Sequence, residues 1–87
     1  MSENRENISA LIIEDNPGDY FLMEDFLLEK FLNIDIKHCN DCETSLAYLK
    51  NNHECISIIL LDLHLPDSSG IELIEKIETG LEEASDL

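Results

Sequence analysis

The chain has 87 residues, enough for one small domain with a thin stability margin. Its 44% hydrophobic content excludes a disordered polymer, and no apolar run approaches the roughly 20 residues of a membrane span. The 20 acidic residues against 5 basic ones give a net charge of −15, which repels nucleic-acid backbones and anionic lipid and favours cations or basic partner surfaces.

Met1 to Asn7 are polar and lack the basic-then-apolar layout of a signal peptide. A disordered N-terminal tail over 1–7 and a cytoplasmic location are the expectations. Residues 8–15, Ile-Ser-Ala-Leu-Ile-Ile-Glu-Asp, read as a buried strand with an acidic C-terminal end. Asn16 suits a helix cap, Pro17 the first helical position and Asp19 the first turn. A helix over 17–32 follows, with Tyr20, Met23, Leu27 and Phe31 on one face. Leu22, Phe26 and Leu28 widen that face, so the helix is expected to be well covered. Ile34 and Ile36 alternate with Asp35 and Lys37, which fits a short half-exposed strand over 33–38.

Asp41 suits the cap of a second helix over 42–51, with Leu46, Ala47 and Leu49 turned inward. Residues 55–61, Cys-Ile-Ser-Ile-Ile-Leu-Leu, are the most apolar run and read as a strand buried on both faces, ending at Asp62. A loop with Pro66 and Gly70 leads to a third helix over 70–79 through Ile71, Leu73, Ile74 and Ile77. Gly80 reads as its stop and 81–87 as a polar C-terminal tail, leaving 8–80 as the domain. The β-α-β-α-β-α order predicts an α/β fold: a parallel sheet with right-handed crossovers and helices on both faces. In the flavodoxin-like strand order 2-1-3, the first and third strands are neighbours.

That order brings Glu14, Asp15 and Asp62 to one edge of the sheet. Three like charges raise one another's pKa unless a cation joins them. A hard divalent ion such as Mg²⁺, held by carboxylates and completed by phosphate oxygens, is the natural partner. A carboxylate beside it can take a phosphoryl group.

Two segments carry a resemblance: Ile12-Ile13-Glu14-Asp15-Asn16, and Leu60-Leu61-Asp62-Leu63-His64-Leu65-Pro66-Asp67 followed by Gly70. Together they resemble the receiver domain of two-component response regulators, from Ile8 to about Gly80. The acidic pair alone is weak; the apolar run, Asp, Pro-Asp and Gly at their spacing are strong. The resemblance implies that Asp62 accepts phosphate from a histidine kinase or phosphotransfer protein. It implies that Asp15 ligates Mg²⁺, that Glu14 is the other acidic position, and that the backbone carbonyl of His64 is a further ligand. It implies a phosphorelay signalling module rather than an enzyme, with autophosphatase activity weak at most. The family continues through two more strands, which carry a Ser or Thr and a Lys at the phosphoryl site. This chain ends at Leu87, so a receiver truncated after its third helix is expected. The third strand then becomes an edge, for which a homodimer is expected.

Other readings weigh less. Cys39-x-x-Cys42 stands alone, without the second ligand pair of a zinc site, and Cys39 and Cys55 read as small core residues. The 3 cysteines, an odd number, argue against a secreted disulfide framework. His64 stands where an Asp-x-Asp phosphohydrolase would need its second Asp. A receiver used only for dimerisation or protein interaction is the main alternative.

Overall fold

The computed structural model describes residues 8–85. The expected tail over 1–7 lies outside them. The elements are β1 (Ile8–Ile13), α1 (Pro17–Lys30), β2 (Ile34–Cys39), α2 (Cys42–Asn52), a single 3-10 turn (His53–Cys55), β3 (Ile58–Leu61) and α3 (Gly70–Ser85). The three strands form a parallel sheet in the order β2-β1-β3, as expected.

β1 is the hub because it alternates apolar side chains to both faces. Leu11 and Ile13 point to one side, where they pack with Leu49 of α2 and with Leu73 and Ile77 of α3. Ala10 and Ile12 point to the other side, against Leu27, Tyr20, Met23 and Phe31. Each fully buried Leu or Ile of this set contributes about 1.5–3 kcal/mol. Asn16 caps α1 by accepting from the Asp19 amide, and Pro17 opens the helix.

The N-terminus of α2 has two carboxylates. Asp41, its cap, accepts from the Thr44 amide at 2.8 Å. Asp67, from the loop after β3, accepts from the Cys42 and Glu43 amides at 2.9 Å each. Three amides that a helix start leaves without a partner are thereby satisfied.

Several expectations change. α3 runs past Gly80 to Ser85, so residues 81–85 are helical rather than a tail. Gly80 packs directly against α2: a Cβ there would lie 2.7 Å from Leu46 Cδ2. β3 begins at Ile58, because residues 53–55 close a 3-10 turn instead. β3 is only half-buried, since it has a neighbour on one side alone among the described residues. α1 is not well covered: Phe21, Leu22, Phe26 and Leu28 are 52–70% exposed. A sheet of three strands covers one stripe of that helix, and the widened face turns to solvent. Ala47, Cys55 and Ile71 are likewise exposed, whereas Cys39 and Cys42 are in the core. Burial pushes the Cys42 thiol up, away from reactive thiolate.

Candidate metal centre

Glu14 and Asp62 each follow the last residue of a strand, and the register makes those strands end level. Ile13 pairs with Leu61, and the Asp62 amide donates to the Ile13 carbonyl at 3.0 Å. On the other side the Glu14 amide donates to the Cys39 carbonyl at 3.0 Å. The chain therefore leaves the sheet at one height in β1 and β3. This brings single carboxylate oxygens of Glu14, Asp15 and Asp62 within 4.8 Å of one another.

The three are not equivalent. Glu14 is 2% exposed, Asp62 is half-buried and Asp15 faces solvent. Burial raises the Glu14 carboxyl above its usual value; the Asn16 amide, donating to Oε2 at 3.1 Å, lowers it, and the Asp62 carboxylate raises it again. A buried carboxylate beside a second one is costly unless positive charge arrives. Three oxygen donors, hard and anionic, fit a hard divalent ion of the Mg²⁺ type, which is content with one or two carboxylates and waters. Among the described residues no other group of three His, Cys, Asp or Glu side chains meets in this way, the cysteine segment included.

His64 follows two residues after Asp62 and is exposed. Its amide donates to Asp62 Oδ1 at 3.2 Å, and its backbone forms an isolated antiparallel bridge with Ser69. The bridge tightens the loop, with the Leu65 amide on the Ser68 carbonyl and the Gly70 amide on the Leu63 carbonyl. Gly70, at φ +61°, makes the turn into α3 in a conformation that glycine adopts without steric cost.

Two contributors beside the site were not read from the sequence. His38 Nε2 lies 2.7 Å from the Glu14 carbonyl oxygen, and its ring stacks on Tyr20 at 3.9 Å between centroids. Period-two parity carried that signal: His38 shares a strand face with Ile34 and Ile36, both packed on the α1 side. Asp67 is the other. It was read as part of a motif, but its partners lie 24 and 25 residues earlier, on α2.

No helix among the described residues is long and apolar enough to cross a membrane. No family model matches the chain. Over most of its length it is similar to plant proteins of one kind. It is 30% identical to the two-component response regulator ARR2 of Arabidopsis thaliana over 76 residues, 87% of this chain and 11% of that protein. It is 29% identical to the two-component response regulator ORR21 of Oryza sativa subsp. indica over 75 residues, 86% of this chain and 10% of that protein. It is 24% identical to the two-component response regulator ARR14 of Arabidopsis thaliana over 70 residues, 80% of this chain and 18% of that protein. The chain thus spans about a tenth of the length of ARR2 and ORR21.

Proposed function

Taking as premise the receiver domain that these response-regulator homologues support, we propose that the chain is a phosphoryl-accepting signalling module with Asp62 as acceptor. The observation that carries this reading is the meeting of Glu14, Asp15 and Asp62 within 4.8 Å at the strand ends. The donor is a histidine kinase or a histidine phosphotransfer protein. Glu14, Asp15 and Asp62, with the His64 carbonyl, are the residues that would hold Mg²⁺.

A carboxylate oxygen of Asp62 attacks phosphorus. The bond from phosphorus to the donor's histidine nitrogen, or to the oxygen of an acyl phosphate, breaks, and that atom keeps the electron pair. When bound, the cation would supply positive charge to the phosphoryl oxygens. The His64 amide, on Asp62 Oδ1, orients the attacking carboxylate. Incubation with acetyl phosphate and Mg²⁺ tests the reading by intact mass. A gain of one phosphoryl group that Asp62→Asn abolishes is the expected result. A folded wild-type chain that gains none counts against it.

A second reading, an association module that needs no phosphate, is favoured by the exposed Phe21, Leu22, Phe26 and Leu28 of α1 and by the outer edge of β3. It includes a homodimer through β3. Its mark is self-association that Asp62→Asn leaves unchanged.

A further inference from the structure

Asp15 is exposed, yet the residues on either side of it belong to a closed ring of contacts. The Glu14 carboxylate accepts from the Asn16 amide at 3.1 Å. The Asn16 carbonyl accepts from the Tyr20 amide at 2.9 Å. The Tyr20 ring lies on the His38 ring, 3.9 Å between centroids and 20° from parallel. His38 Nε2 closes the ring at the Glu14 carbonyl, 2.7 Å away.

A carbonyl oxygen only accepts, so Nε2 must carry the proton. Stacking on Tyr20 holds the imidazole edge-on to that carbonyl, and the Tyr20 hydroxyl is itself tied to Glu24 Oε2 at 3.2 Å. The β2 end thus grips Glu14 twice, by the Cys39 carbonyl on its amide and by His38 on its carbonyl. Fixing the peptide that joins Glu14 to Asp15 fixes where both carboxylates start.

We propose that His38 is a positioning residue for the cation site, its Nε2–H holding the Glu14 carbonyl so that Glu14 and Asp15 converge on Asp62. This rests on the cation reading above and adds to it a residue outside the carboxylate set. A preorganised ligand pair loses less freedom on binding, so loosening it weakens affinity without removing any ligand.

The test is Mg²⁺ titration of the 87-residue chain by calorimetry, with thermal unfolding recorded alongside. His38→Phe keeps an aromatic ring for Tyr20 to stack on and removes the donor. His38→Gln restores an N–H donor. The expected result is Mg²⁺ affinity about tenfold weaker in His38→Phe, the low end of what loss of an outer-shell partner costs, and close to wild type in His38→Gln. Both variants are expected to remain folded, and rescue by Gln separates a held carbonyl from a merely filled space. Unchanged affinity in His38→Phe, or equal loss in both variants, overturns the role of His38 alone. A folded wild-type chain that binds no Mg²⁺ overturns the cation reading itself, and the proposal with it.

Discussion

Asp67 shows how much one side chain can connect. Its two oxygens take the Cys42 and Glu43 amides. The Cys42 amide bond, ahead of the opposing effect of burial, holds its carboxyl below the usual carboxylate range. A carboxylate with a depressed folded pKa adds stability above its unfolded pKa, about 3.9, and that stability is lost as pH falls through the folded value. Asp67→Asn is therefore expected to be less stable than wild type at pH 6, with the gap closing below about pH 3.9. Because Asp67 is exposed, the loss belongs at the lower end of the roughly 0.5–2 kcal/mol typical of a missing helix cap. Urea unfolding at both pH values checks it; a gap that widens in acid would contradict the assignment. The strand face of His38 was legible from period-two parity, but neither its partner nor that of Asp67 was. Both depend on a partner more than 20 residues away, and periodicity sees only neighbours. The acidic triad was legible, because strand ends are marked by where an apolar run meets an acid.

At the scale of elements, the sequence marked starts better than stops. Asn16-Pro17 and Asp41 announce α1 and α2 through side-chain chemistry that is local. Gly80 misleads because glycine has two uses: it ends helices, and it lets helices approach. The distance to Leu46 decides for the second. Ala at position 80 gains about 1 kcal/mol of helix propensity and must displace a terminal methyl of Leu46. Leu46 is only partly buried and has room to turn, so Gly80→Ala is expected to stay within about 1 kcal/mol of wild type. Gly80→Ile cannot be absorbed in that way and is expected to cost about 1–3 kcal/mol. Circular-dichroism melts of the two variants distinguish a packing glycine from a terminal one. The exposed side of α1 was misjudged for a related reason: apolar residues all round a helix say nothing about how much sheet there is to cover them.

Across the whole molecule, net charge and exposed apolar surface oppose each other. The charge of −15 keeps copies apart, while Phe21, Leu22, Phe26, Leu28 and Leu32, all more than half exposed, favour contact. If the second reading holds, self-association strengthens as salt screens the charge, since the Debye length shrinks from about 30 Å at 0.01 M to about 8 Å at 0.15 M. Light scattering across that range would show mass rising with salt, and a constant monomer mass would remove the reading. The loop that carries Asp62 into α3 also has a remote witness. The Cys42 and Glu43 amides are closed off by Asp67 alone among side chains of that loop. Their hydrogen–deuterium exchange therefore clocks the opening of that loop from the start of α2, and under the proposed acceptor role of Asp62 it offers a readout of phosphorylation that needs no label near the carboxylates.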